Sequence, residues 1–165
     1  MQTLFSIILW IYWTLCILSF FVIITLIYVL TFPFDPYHRL PNKALKGLAR
    51  MMLLINPGWR FDITGADSTK VADPTIVVAN HQSFLDLPLF YLLPWSMKWV
   101  AKGGLFKIPI FGWIIYMTGQ IAIDRYSLKS VKKLDTLVQT IQNGIPGMIF
   151  REGTRTEKGE LEWFI

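Results

Sequence analysis

The first 34 residues form an apolar stretch without a charged side chain, whereas the rest of the chain mixes apolar and polar positions. Its core, residues 4–32, is longer than the roughly 20 residues that an α-helix needs to cross a bilayer. The length of this core and the lack of a positive side chain before it argue against a signal peptide. The pattern predicts a helix that either spans the membrane or dips into one leaflet.

A second helical pattern, residues 41–55, lies in the region 35–58 and combines apolar positions at helical spacing with basic ones. The basic side chains of this region are Arg39, Lys43, Lys46 and Arg50. Because they follow the apolar stretch and no charge precedes it, the positive-inside rule places this side in the cytoplasm, at the inner face of the cell membrane. We expect the second helix to lie on the anionic membrane surface, with its basic residues attracted to the headgroups.

From residue 59 onward, short β-branched runs alternate with amphipathic segments. The pattern predicts strands at residues 75–79, 97–101, 120–124 and 148–150, and helices at residues 83–93 and 127–143. Pro94 stops the first of these helices, whereas Ser127 caps the second and Gly144 ends it. Strands that alternate with helices predict an α/β domain over residues 59–165, with a mostly parallel sheet and flanking helices.

Composition narrows the class of partner. The net charge is +5, and 53% of the residues are hydrophobic. A basic excess beside an apolar segment favours a membrane and phosphorylated substrates over nucleic acid, since no basic run is interleaved with aromatic residues. The single cysteine, Cys16, lies in the apolar stretch, which excludes a disulfide framework and a CxxC motif. With His38 and His81 as the only histidines and no clustered ligands, we expect no metal site.

The candidate chemistry begins at His81, which directly follows the strand predicted at residues 75–79. Asp86 stands five residues later in the next predicted helix, so that its carboxylate can fix the imidazole tautomer and stabilise the imidazolium. No GxSxG nucleophile motif is present, which favours direct attack by a substrate hydroxyl with His81 as general base. Alone, such a pair is more often structural than catalytic.

Three motifs in order give the pair its context. Residues 80–86, reading NHQSFLD, match the NHxxxxD motif of the glycerolipid acyltransferase family. Residues 98–125 resemble the next characteristic stretch of that family, and residues 119–125 resemble its second motif. Residues 150–155, reading FREGTR, are similar to its third motif, which usually reads FPEGTR. The resemblance covers residues 74–159 well and the apolar segment more loosely.

The resemblance to this PlsC-type family implies an acyltransferase fold and transfer of a fatty acyl group to a lysophosphatidic acid, giving phosphatidic acid. It implies acyl-CoA or acyl-carrier protein as donor substrate, a lysophospholipid as acceptor, the lipid bilayer as partner, and no cofactor. His81 would be the base and Asp86 its partner. The acceptor site would contain Arg125, Glu152, Gly153, Thr154 and Arg155, with Lys102 as a further phosphate ligand; the alternative for the two arginines is a solvated surface position.

Two departures from the family pattern leave alternatives open. Arg151 stands where the family usually has proline, which adds a cation beside the third motif. Family members normally continue beyond this motif with a fourth, proline-containing motif, for which residues 156–165 offer no match. The alternatives are therefore an acyltransferase for another lysolipid, or a truncated membrane-binding module without catalysis.

Overall fold

The computed structural model describes residues 2–56, 58–66, 74–81, 83, 85–123 and 129–150. The helices are α1 (Gln2–Thr31), α2 (Arg39–Leu54), α3 (Asp86–Phe90), α4 (Phe111–Met117) and α5 (Lys129–Gln142), and a 3-10 helix covers Gly103–Lys107. The strands are β1 (Ile76–Ala79), β2 (Lys98–Lys102), β3 (Ile121–Ile123) and β4 (Gly147–Phe150). All four predicted strands are confirmed, each within one residue of its expected start.

The four strands form one sheet in the order β1-β4-β2-β3, and every pairing is parallel. Strand β4 therefore lies between β1 and β2, with Ala79 opposite Phe150 and Trp99 opposite Met148. Parallel pairing needs a crossover between consecutive strands, which the intervening helices supply. The predicted α/β class with a parallel sheet is confirmed.

Helices cover both faces of the sheet. Met148 and Trp99 point to the face that α2 and α4 cover, and they share a core with Leu48 and Ile115. The opposite face carries α5, where Leu137 and Ile141 pack against Ile121. Gly144 ends the α5 segment, as predicted, with a φ of +73°. Glycine adopts this left-handed conformation without a steric penalty because it has no Cβ atom.

Helices α1 and α2 form an antiparallel hairpin that packs onto the domain. The Tyr12 hydroxyl and the Trp13 indole N–H of α1 donate to the carbonyls of Met51 and Met52 at the end of α2. Farther along α1, Ile24 is fully buried, and the Phe21 ring lies 5.9 Å from the Trp113 ring of α4. The opposite side of α1 is apolar and exposed.

Two features differ from expectation. The helix predicted at residues 83–93 is observed only over Asp86–Phe90 and continues as turns and bends. The basic residues of α2 were expected to face headgroups, but Lys46 is buried and donates to the carbonyls of Pro94 and Trp95. Arg50 donates to the carbonyl of Tyr91, so these two cations fix α2 to the segment after α3.

Candidate active site

His81 and Asp86 form a close pair where β1 ends and α3 begins. The His81 Nδ1 atom lies 3.1 Å from the Asp86 Oδ2 atom, and the two side chains are 20% and 18% exposed. A carboxylate accepts only, so Nδ1 carries the proton and Nε2 remains free to accept one. The pair has the geometry of a general base with an orienting carboxylate.

The Asp86 carboxylate is held by a second donor. The backbone N–H of Ser83 donates to the same Oδ2 atom at 2.8 Å, and the Ser83 hydroxyl accepts from the backbone N–H of Leu85 at 3.2 Å. These bonds close a tight turn between β1 and α3. The turn fixes the carboxylate, so protonation of the imidazole would require little reorganisation of this group.

Phe150 supports the imidazole from the neighbouring strand. Its ring centroid lies 4.3 Å from that of His81, with an interplanar angle of 33°. The ring of Phe90 in α3 packs against the Phe150 ring, with 5.9 Å between the two centroids. This position exists because Phe150 lies opposite Ala79 in the β1–β4 pairing. The sequence places Phe150 in a predicted strand and in the third motif but does not predict this contact, because the contact depends on the strand order.

The other predicted site residues follow the carboxyl ends of the remaining strands. Lys102 is the last residue of β2 and its side chain is exposed at the same edge of the sheet as His81. Two strand spacings of about 4.8 Å separate β2 from β1. In open α/β sheets, ligands bind at this carboxyl edge.

Several predicted residues lie outside the described part of the chain. Arg125 comes two residues after β3, and the third motif continues directly from β4. The residues concerned are Arg125, Arg151, Glu152, Gly153, Thr154 and Arg155, together with the predicted cap Ser127. Their roles stay predictions. Within the described ranges, no three His, Cys, Asp or Glu side chains lie together as a metal site would require.

A buried polar network lies behind α3 and was not predicted. Asn42 of α2 accepts from the Tyr91 hydroxyl at 3.2 Å and from the Gln120 amide at 2.8 Å, and the Trp99 indole donates to Tyr91 at 2.9 Å. Burial raises the pKa of the Tyr91 phenol, so the hydroxyl stays protonated as a donor. The network joins α2, β2 and the residue after α3, and so fixes the helix that carries Asp86.

Lys98 is a second buried polar anchor. Its side chain is 1% exposed, and its ammonium donates to the carbonyls of His38 and Thr118. Burial lowers the pKa of Lys98 to about 7, and the nearby Asp35 carboxylate offsets only part of this shift. Gly119, in the turn before β3, has a φ of +70°, and an added Cβ would come within 2.9 Å of Lys98 Nζ. Glycine is therefore required at this turn.

Comparison with known proteins identifies the family. A protein-family model described as "Acyltransferase" matches residues 60–164. A chloroplastic 1-acyl-sn-glycerol-3-phosphate acyltransferase of Arabidopsis thaliana is 35% identical over 135 residues, which cover 79% of this chain and 37% of that protein. A 1-acyl-sn-glycerol-3-phosphate acyltransferase of Helicobacter pylori is 36% identical over 108 residues, covering 61% and 45% of the two chains.

The crystal structure of the 1-acyl-sn-glycerophosphate acyltransferase PlsC from Thermotoga maritima has a similar fold. It matches 94% of this chain and 67% of its own length, with a TM-score of 0.55 and 26% identity. A parallel sheet with a His–Asp pair at its carboxyl edge, together with these matches, defines the class: the chain belongs to the acyltransferase family, with PlsC-type proteins among its relatives. Three curated relatives match most of this chain, and the chain spans about two fifths of their length.

Proposed function

We propose that this chain carries the catalytic centre of an enzyme that transfers an acyl group from a thioester to the free sn-2 hydroxyl of lysophosphatidic acid, giving phosphatidic acid. The observation that carries the proposal is the His81–Asp86 pair at 3.1 Å, located at the carboxyl edge of the sheet. Relatives named as 1-acyl-sn-glycerol-3-phosphate acyltransferases support the choice of acceptor. The donor is acyl-CoA or acyl-carrier protein.

In the proposed reaction, His81 Nε2 takes the proton of the acceptor hydroxyl while the hydroxyl oxygen bonds to the thioester carbonyl carbon. Asp86 stabilises the imidazolium that forms. The tetrahedral intermediate then collapses, the carbon–sulfur bond breaks, and the departing thiolate receives the proton from His81. The products are an ester and a thiol. Because the thioester is already activated, the reaction needs no resident cofactor.

Cations at the sheet edge are the proposed ligands of the acceptor phosphate. Lys102 lies at this edge, and Arg125 and Arg155 follow it along the chain. An Arg side chain can hold a phosphate through two parallel charge-assisted hydrogen bonds. Glu152, Gly153 and Thr154 complete the proposed acceptor site.

A thioester-consumption assay with a panel of lysolipids tests the reaction and the acceptor together. We expect turnover with lysophosphatidic acid, and much slower turnover with a monoacylglycerol that lacks the phosphate. His81→Ala should lose nearly all turnover yet still bind vesicles. Failure of every acceptor would contradict the enzymatic proposal and favour the non-catalytic alternative, whereas equal rates with and without phosphate would contradict the phosphate ligands.

We further propose that α1 inserts into one leaflet and does not span the bilayer. One helix, Thr3–Thr31, is long and apolar enough to cross a membrane, which fits membrane association. However, from Tyr12 to Tyr28 it packs against α2 and α4, and the free part at its start, residues 3–11, is about 14 Å of helix. A crossing of about 30 Å would draw the polar domain into the hydrocarbon. The domain then lies on one face, which we propose is cytoplasmic.

Cysteine accessibility distinguishes the two placements. Thr3→Cys and Phe34→Cys, each in a Cys16→Ser background, are added to preformed vesicles and treated with a membrane-impermeant maleimide. A helix confined to one leaflet has both ends on the outer side, so the maleimide should label both cysteines to a similar extent before detergent is added. A spanning helix would place one end inside. Selective protection of one cysteine until detergent is added would contradict the one-leaflet placement.

A further inference from the structure

A groove of about 340 Å³ lies between the end of α2, the segment 58–61 and the start of α3. Its walls are mainly apolar, and the side chains that matter here are Leu53, Trp59, Arg60, Phe61, Leu85 and Leu89. The volume lies at the lower end of the range of about 300–1,000 Å³ that is typical of small-molecule sites. The proposed proton transfer does not use these residues.

The groove adjoins the apolar surface of the α1–α2 hairpin. The Trp59 ring lies 5.7 Å from the ring of Trp13 in α1, whose indole N–H donates to the carbonyl of Met52, the neighbour of Leu53. Leu54 and Ile55, at the end of α2, are exposed apolar residues. A hydrocarbon chain could therefore pass from the lipid around the hairpin into the groove along a mainly apolar surface.

The opposite wall of the groove belongs to the segment that positions the proposed base. Leu85 directly precedes Asp86, and Leu89 lies one helical turn farther along. The carboxylate of Asp86 is the group that orients His81. A lipid whose chain occupies the groove thus has its polar end close to the beginning of α3, where the acceptor hydroxyl must be.

Arg60 indicates which substrate chain the groove receives. Its side chain is exposed in the groove wall, and its guanidinium has no hydrogen-bond or ion-pair partner among the described residues. In lysophosphatidic acid, the phosphate and the acyl chain are attached to the same three-carbon glycerol. In an acyl thioester, by contrast, the chain ends at an uncharged carbonyl carbon, and the charged groups lie far away on the carrier. A guanidinium beside an apolar groove therefore matches the acceptor.

We propose that this groove binds the hydrocarbon chain of the lysophosphatidic acid acceptor, and that Arg60 contacts the acceptor phosphate. The proposal rests on the proposed function, because it assigns the second substrate of that reaction. It also means that the acceptor reaches His81 from the leaflet, while the thioester donor arrives by a different path.

Photolabelling tests which chain lies in the groove. The full chain in phosphatidylcholine vesicles is irradiated with lysophosphatidic acid that carries a diazirine midway along its chain, and separately with the CoA thioester of the same chain. We expect the lysophosphatidic acid probe to label peptides containing Leu53, Trp59 or Leu89. Leu89→Trp, which fills the groove, should reduce this labelling roughly tenfold, equivalent to about 1.4 kcal/mol of binding. Leu134→Trp, at an exposed position of α5, is the matched control.

Arg60 offers a second variant at an exposed position, where folding is not at risk. Arg60→Ala should weaken binding of the lysophosphatidic acid probe but not of the corresponding monoacylglycerol probe, which lacks the phosphate. An equal loss for both probes would overturn the role of Arg60. Labelling of the groove by the thioester probe alone, or by neither probe, would overturn the assignment of the chain. Groove labelling without turnover would instead refute the proposed function, so the two failures are distinguishable.

Discussion

At the scale of single residues, the carboxylate of Asp86 accepts two hydrogen bonds on one oxygen atom. Both His81 Nδ1 and the backbone N–H of Ser83 donate to Oδ2. An asparagine at this position could place its amide oxygen at the same point and keep both bonds, while losing the negative charge. The substitution therefore separates the orientation of the imidazole from the stabilisation of the imidazolium.

We expect Asp86→Asn to lower kcat by roughly 10²–10⁴-fold with little change in either KM, because the lost charge acts only when His81 is protonated. Steady-state kinetics with the thioester assay provide the measurement. Asp135→Asn removes an equivalent charge from an exposed position of α5 and should leave kcat unchanged. If the Asp86 variant retained full kcat, the carboxylate would have a structural role only.

The pairing of His81 with Asp86 was predictable because it depends on a short separation across one turn. The support from Phe150 was not, since that contact follows from β4 lying beside β1, which no local pattern encodes. The role of Lys98 was not predictable either, because its β-strand position gives no sign that it is buried among carbonyl groups. Such contacts between distant parts of the chain need the strand order first.

At the scale of elements, long amphipathic segments and buried strands were predictable, whereas short helices were not. Helix α4 lies in a uniformly apolar run in which neither a helical nor an alternating period is visible. Helix α3 ends early because the carbonyls after it accept hydrogen bonds from Lys46 and Arg50 of α2, and because Pro94 has no N–H to continue a helix. Tertiary contacts override the local pattern here.

Lys98 ties the α1–α2 connection to the turn between α4 and β3, and its burial makes that attachment sensitive to pH. The charged groups near its ammonium are Asp35 and Arg39, and His38 supplies one of the carbonyl acceptors. The pKa of Lys98 is about 7 in the folded chain and near 10.5 when unfolded. Between these values the unfolded state binds more protons, so the free energy of unfolding rises with pH.

We expect the stability of the protein to increase between pH 7 and pH 9 by up to about 1 kcal/mol per pH unit. Thermal unfolding of the vesicle-bound protein at several pH values measures this slope. Lys98→Met should flatten it, whereas Lys102→Met, exposed on the same strand, should not. Burial also lowers the pKa of His38, but this contribution changes below its ordinary value of 6.5 and so lies outside the window. An unchanged slope in Lys98→Met would contradict the assignment.

At the scale of the whole molecule, α1 is both the proposed membrane anchor and a part of the core. Cys16 and Ile24 are buried against the domain, while Leu15, Val22 and Leu26 on the other side are more than half exposed. Deleting the helix would therefore remove core contacts together with the anchor. Charges on its outer side remove the membrane contact alone.

We expect Val22→Glu combined with Leu26→Glu to leave the fold intact and to weaken binding to vesicles strongly, since a carboxylate is costly to bury in lipid. Turnover of a bilayer-embedded acceptor should then fall far more than turnover of a short-chain, soluble acceptor. Val22→Ala with Leu26→Ala is the control for lost side-chain volume. Equal losses on both acceptors would show that α1 serves a purpose other than bringing the site to its substrate.

The central position of β4 has a consequence for the order of folding. Gly147 follows the α1–α2 hairpin and strands β1, β2 and β3 along the chain, yet β1 and β2 are joined in the sheet only through β4. The sheet therefore cannot join β1 to β2 until β4 lies between them, and this insertion requires contacts between residues distant in the chain, which form slowly. Because Phe150 is the last residue of β4, its ring can contact the His81 imidazole only after β4 has joined the sheet. Insertion of β4 therefore joins β1 to β2 and brings the Phe150 ring to His81 in the same step.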